Sequence, residues 1–159
     1  MSCLICERIA LIRQGDNPYF VAELETGYVV LGDHQHFHGY TLFLCKEHLS
    51  ELFQLPDGFR QKHMEEMVLV AKAVHEAFQP EKMNYELLGN GDSHIHWHLF
   101  PRNAGDTPKK GPVWQLPLEV MYDPAKKPNP DALESMVALL SSHIKRLQAQ
   151  TKEKESKRE

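Results

Sequence analysis

At 159 residues, the chain is long enough for one domain with a proper core, and nothing in it suggests a second. Its 18 Lys+Arg against 22 Asp+Glu give a formal charge of −4, which excludes a global basic footprint for duplex nucleic acid but leaves room for a local patch that holds a small anion. Three cysteines, an odd count, argue against a disulfide framework.

The opening stretch MSCLICERIALIRQG lacks a basic region followed by an unbroken apolar core, and no segment approaches the roughly 18 apolar residues of a membrane span. The expectation is a soluble cytoplasmic protein without a membrane partner. Cys3 and Cys6 form a C-x-x-C pair, open to three readings: half a zinc site, a redox pair, or coincidence. Zinc leads, because no thioredoxin-like βαβ pattern surrounds the thiols. His48 and a histidine of the row described below could supply the two further ligands. Such a site would clasp the N-terminus to the sheet.

Residues 19–24 (YFVAEL) and 27–31 (GYVVL) read as successive strands around a Thr26-Gly27 turn, and 40–45 (YTLFLC) as a third. Between them GDHQHFHGY carries His34, His36 and His38, with the composition of a turn rather than of a one-sided strand. This segment is expected as a solvated connection near the mouth of a site, with substrate contact or an adventitious metal as the alternatives. From Gly58 to Phe78, Met64, Met67, Val68, Ala71 and Val74 recur at helical spacing, and Pro80 closes a long core helix. His63 and His75 on this helix, and His143 further on, read as partly exposed surface residues.

Residues 84–88 (NYELL) predict a strand that pairs as a hairpin, across GNGDS, with the strand that follows. Residues 105–130, rich in Pro, Gly and Lys, read as a long ordered loop with a possible short strand. Asn129-Pro130 then resembles an N-cap and first helical residue, opening a second helix to about residue 148. The charged run in 149–159 has no apolar anchor and is expected to be frayed or disordered. The fold class is therefore α+β: one domain over 1–148, an antiparallel sheet of about five strands, a long core helix and a C-terminal helix.

The chemistry concentrates in SHIHWHLFPR, where His94, His96 and His98 occupy every second position. That spacing puts three imidazoles on one face of a strand, with Ile95, Trp97 and Leu99 turned to a core on the other. Successive same-face residues lie about 6.6 Å apart, so three rings on a straight strand fit one ion poorly, zinc requiring each nitrogen at about 2.1 Å. A row suits an elongated anion such as a phosphate chain. Imidazole can attack phosphorus and split a displacement into two steps, and the central ring, His96, is the natural nucleophile.

The form His-φ-His-φ-His-φ-φ, with φ apolar, resembles the signature of the histidine triad superfamily. GYTLFLCKEH resembles that family's Gly-His-apolar strand ending in Pro-Lys-x-His, and Pro101-Arg102 matches the Pro-Arg that often follows the triad. The resemblance implies a five-stranded α+β domain, commonly a homodimer, that cleaves at the α-phosphate of dinucleoside polyphosphates or nucleoside phosphoramidates. It implies a nucleotidyl-His96 intermediate, release of a nucleoside monophosphate, and no organic cofactor. His94 and His98 would orient the nucleophile and contact phosphate, Asn90 would turn its amide to the phosphates, and Asp33 would bind ribose hydroxyls. In zinc-bearing members the corresponding metal ligands fall on Cys3, Cys6, His48 and His94. The chain departs from the pattern at Tyr40, where many members carry histidine, and at Cys45, which replaces the proline before Lys46. Two rival expectations stand beside the hydrolase: a nucleotide-binding or scaffold protein with little catalysis, and a zinc-dependent phosphohydrolase, which lacks an acidic ligand set beside the triad.

Overall fold

The computed structural model describes residues 2–157. Five strands form one antiparallel sheet: β1 (Phe20–Glu23), β2 (Gly27–Leu31), β3 (Thr41–Cys45), β4 (Lys82–Glu86) and β5 (His96–Arg102), in the order β1-β2-β3-β5-β4. Four helices accompany it: α1 (Leu4–Gln14), α2 (Asp57–Phe78), the single turn α3 (Leu118–Met121) and α4 (Pro130–Ser156). The α+β expectation and the five strands hold. Insertion of β5 between β3 and β4 sets His98 opposite Leu42 on one side and Glu86 on the other.

Alternation along β5 decides which residue meets which layer. Trp97 and Leu99 face α2 and α4, packing with Val29, Leu31 and Phe43 against Val70, Val74, Leu140 and Ile144. The opposite face has two separate covers. Ile5 and Ile9 of α1 lie over Tyr28, Val30 and Leu44, while Val113, Leu116 and Met121 lie over Phe37, Tyr40 and Phe100. Leu42 touches both covers and is sealed by neither. The gap between them exposes the part of β5 that carries His96 and His98.

Several expectations change. Helix α1 lies where no element was expected; Cys3 caps its start, Gly15 closes it in the left-handed region at φ 80°, and Ile5, Ile9 and Ile12 supply its apolar stripe. The segment 105–130 contains short helical turns rather than a strand. Helix α4 runs eight residues past the expected end near 148, to Ser156. An anchored helix extends at little nucleation cost, and the alternating Lys and Glu of the tail suit a solvated continuation; Arg158 and Glu159 lie outside the described residues. The β4–β5 hairpin forms, but its connection is longer than GNGDS because Ile95 bonds to Leu49 and Cys45 before β5 begins.

His63 is buried, not a surface residue. Glu66 accepts from the backbone N–H groups of Glu25 and Thr26 and from the Thr26 hydroxyl (2.5 Å). That hydroxyl has given its proton away, so it accepts from His63 Nδ1–H (2.9 Å), leaving His63 Nε2 to accept from the Trp97 indole (3.3 Å). The chain of bonds is satisfied only with a neutral His63, and it bolts the residue between His96 and His98 to α2. Burial pushes the His63 imidazole down to about 4. An unfolded imidazole titrates near 6.5, so as pH falls the unfolded chain binds a proton that the folded chain refuses, and stability drops between about 6.5 and 4. At about 1.4 kcal/mol per pKa unit, His63 accounts for roughly 3 kcal/mol of this loss. Denaturation midpoints measured from pH 7 to 4 should fall through that window; a flat profile would contradict the neutral core histidine.

Candidate active site

The three triad histidines do not share one row. His94 precedes β5, in the bend before Ile95, and its buried ring turns away toward the N-terminus, where its Nε2–H donates to the Cys45 carbonyl (2.8 Å). A carbonyl only accepts, so Nδ1 of the neutral ring keeps its lone pair. That nitrogen lies 3.6 Å from Cys3 Sγ and 3.4 Å from Cys6 Sγ, and His48 Nδ1 lies 3.0 Å from Cys6 Sγ. All four ligand atoms lie within 4.8 Å of one another. A tetrahedral zinc with bonds of about 2.1–2.3 Å separates its ligands by roughly 3.4–3.8 Å, so two thiols and two imidazole nitrogens fit such an ion in number, softness and spacing. Cys45 stands outside this cluster, its buried thiol pushed up to about 11.

His96 and His98 remain on the strand and face the gap between the two covers, their ring centroids 4.8 Å apart. His96 Nδ1–H donates to the backbone carbonyl of His94 (2.6 Å), which leaves Nε2 of the neutral ring as its lone-pair nitrogen. His98 Nδ1 lies 2.6 Å from the Tyr40 hydroxyl. Tyr40 is buried and its hydroxyl has no other protein partner among the described residues, so the O–H donates to Nδ1 and the His98 proton sits on Nε2. Burial, with His96 adding a smaller effect, pushes His98 down to about 4; burial likewise lowers His94, with His48 and His96 contributing. Tyr40 is pushed far up by burial, so it stays a neutral donor. Its ring lies where a Cβ on Gly32 would come within 2.1 Å of it, which is why glycine occupies that position.

Over these rings opens a cavity of roughly 470 Å³ that also receives Asn90, Asp33, Arg8 and His34. Asn90 reaches it from the β4–β5 connection. Asp33 is held by both guanidinium nitrogens of Arg8 (2.7 and 2.8 Å). The fold therefore divides the candidate residues in two: His96, His98, Asn90 and Asp33 line the cavity, while Cys3, Cys6, His48 and His94 form the clasp behind it. His34, His36 and His38 diverge. His34 sits edge-on to Tyr122, His36 Nε2 donates to the Asp106 carbonyl (2.7 Å), and His38 sits edge-on to Phe78. Of these three, only His34 borders the cavity. Arg8 was not legible because α1 was not, and Glu86 neighbours His98 only through strand pairing.

Residues 17–105 match the family model described as the HIT domain, and the chain belongs to that family. Protein hit of Bacillus subtilis is 29% identical over 121 residues, which span 72% of this chain and 79% of that protein. A histidine triad protein from Bradyrhizobium japonicum superposes with a TM-score of 0.69 at 21% identity, over 79% of this chain and 89% of the other. A zinc-bound histidine triad family protein from Mycobacterium smegmatis does so with a TM-score of 0.63 at 23% identity, over 94% and 97%. At these identities the two structures establish the shared fold. Membership of the family brings a nucleotide-binding, hydrolase-type role.

Replacing Tyr40 by Phe keeps the stacking on Phe100 but removes the donor to His98. The ¹⁵N spectrum of His98 should then change from a single Nε2–H tautomer to a mixture, and turnover should fall about tenfold, the worth of one buried hydrogen bond. An unchanged tautomer would refute the assignment.

Proposed function

We propose that the chain is a nucleotide hydrolase in which His96 attacks the α-phosphorus of a dinucleoside polyphosphate or nucleoside phosphoramidate. The observation that carries this reading is the bond from His96 Nδ1 to the His94 carbonyl, because it leaves the nucleophilic lone pair on Nε2 of a ring that lines an open cavity. In the first step Nε2 bonds to phosphorus while the bond to the leaving group breaks, and that group departs with the electron pair and takes up a proton. In the second, water bonds to phosphorus, the P–Nε2 pair returns to His96, and a proton is released. One water is consumed and a nucleoside monophosphate leaves. His98 Nε2–H and the Asn90 amide donate to phosphoryl oxygens, which gather charge in the transition state. Asp33, oriented by Arg8, accepts from ribose hydroxyls. Incubation with substrate labelled in the α-phosphate should leave label on the protein, acid-labile as a phosphoramidate is. His96→Asn and His96→Gly should lose the label and at least about a thousandfold in turnover; retained turnover would end the proposal.

The Cys3, Cys6, His48 and His94 cluster is the proposed seat of one structural zinc, which when bound would tie α1 to the sheet and supply cross-linking rather than chemistry. Metal analysis should find about one zinc per chain. Chelation or Cys6→Ser should lower the melting temperature, whereas a metallohydrolase would lose turnover with its fold intact. The free thiols, none in a disulfide, support a reducing compartment, the cytoplasm. No described helix is long and apolar enough to cross a membrane. The free edge of β4 with its exposed Tyr85 supports homodimer formation.

A further inference from the structure

Two of the four clasp side chains are thiols three residues apart at the start of α1. Cys3 is the N-cap of that helix and Cys6 lies in its first turn, where the Cys6 N–H donates to Cys3 Sγ (3.4 Å) and the Glu7 N–H to the Cys3 carbonyl (3.0 Å). Backbone positions three apart in a helical turn stand roughly 5 Å from one another, inside the Cα span of about 4.4–6.8 Å that a disulfide bridges. Both sulfurs also fall within the 4.8 Å that encloses the four ligand atoms. Cys3 and Cys6 are half-buried beside an exposed His48, whereas the third thiol, Cys45, is sealed in the core. A zinc site holds its sulfurs as thiolates, and the thiolate is also the form that attacks an oxidant.

A bond between the two sulfurs would reach the cleft through His94. Its ring has three neighbours, the Cys45 carbonyl and the two sulfurs. Disulfide formation withdraws both sulfurs, and the two imidazoles that remain are half of the ligand set a structural zinc requires. The backbone carbonyl of the same His94 accepts the Nδ1 proton of His96 (2.6 Å). The first turn of α1 is tied to the cleft a second time, since the Leu4 N–H donates to the Asp92 carboxylate (2.9 Å), two residues from Asn90.

Resting on the zinc reading above, we propose that Cys3 and Cys6 are a site of reversible oxidation by a peroxide, and that their disulfide opens the clasp and lowers the activity of the cleft through His94. One thiolate attacks a peroxide oxygen, the O–O bond breaks, and the departing oxygen takes up a proton to leave as water, with a sulfenic acid behind it. The second thiolate attacks that sulfur, the S–O bond breaks, and the oxygen leaves as a second water after taking up another proton. The sulfur pair gives up two electrons, one peroxide is reduced to two waters, and the metal ion passes to solvent. A dithiol reverses the step by thiol–disulfide exchange.

The test titrates the zinc-loaded chain with hydrogen peroxide. About one zinc should reach a colorimetric indicator for each disulfide formed, free thiols should fall from three to one per chain, and peptide mapping should place the bond between Cys3 and Cys6. The ¹⁵N spectrum of His96 should pass from a single Nδ1–H tautomer to a mixture. Hydrolysis of adenosine 5′-phosphoramidate should fall about tenfold, the worth of one buried hydrogen bond, rather than to nothing. Dithiothreitol with zinc should restore both. Cys3→Ser leaves Cys6 without a partner and should give neither the disulfide nor the recovery. Oxidation that falls first on Cys45, sulfinic acids in place of the disulfide, or a His96 spectrum that the disulfide does not move would overturn the proposal. His96→Asn should release zinc as the parent does, so a failed hydrolase reading leaves this test intact. A chain isolated without zinc would end the clasp reading, and the peptide map, read without metal, would still decide the pairing.

Discussion

One hydrogen bond joins the two halves of the site. The His96 ring gives its Nδ1 proton to the His94 carbonyl, so the lone pair of the proposed nucleophile is set by the backbone position of the neighbouring triad residue. That position is set in turn by the His94 side chain, which is buried and held between the Cys45 carbonyl and the two thiols of the N-terminal helix. A cluster that lies outside the cavity lining thus controls the geometry of a ring that lines the cleft. This is how an outer layer of contacts tunes a reactive group without taking part in the reaction.

The same strand is fixed from behind. Trp97, between the two cleft histidines, donates to His63, and His63 is held by Thr26 and Glu66 in a network with every proton assigned. Such a network is costly if one member is missing, because a buried polar group without a partner loses its water for nothing. The pleat of β5 therefore has polar anchors on the core side and reactive rings on the other, and neither side can turn without disturbing its neighbour. Tyr40 completes the arrangement at His98, holding its tautomer while the absence of a side chain on Gly32 makes room for the phenol ring.

The cleft itself is defined by what does not cover it. Helix α1 shields one part of the sheet face and the 113–121 segment another, and the interval between them is where His96 and His98 meet solvent. Both covers bring chemistry to the rim: α1 brings Arg8, and the 113–122 segment brings a wall of apolar side chains beside Glu86. Among the residues that line the cleft over His96, Arg8 is the one lysine or arginine, and Asp33 engages both of its guanidinium nitrogens.

Local pattern alone marked the strands and the long helix and nominated His96 as the candidate nucleophile: alternation at His94, His96 and His98 points to a strand, and the stripe through Met67, Ala71 and Val74 marks α2. The resemblance to the histidine triad pattern named the residues of the clasp. Tertiary structure alone decided that His94 leaves the row, because its ring goes where Cys3, Cys6 and His48 converge across long stretches of chain. It alone buried His63, since no local signal reports that Thr26 and Trp97 will close on it. It placed Arg8 and Glu86 at the cleft by docking a helix and pairing a strand. Periodicity records which face a residue takes on its own element; which other element arrives at that face depends on contacts distant in sequence, and those set the protonation and charge of the site.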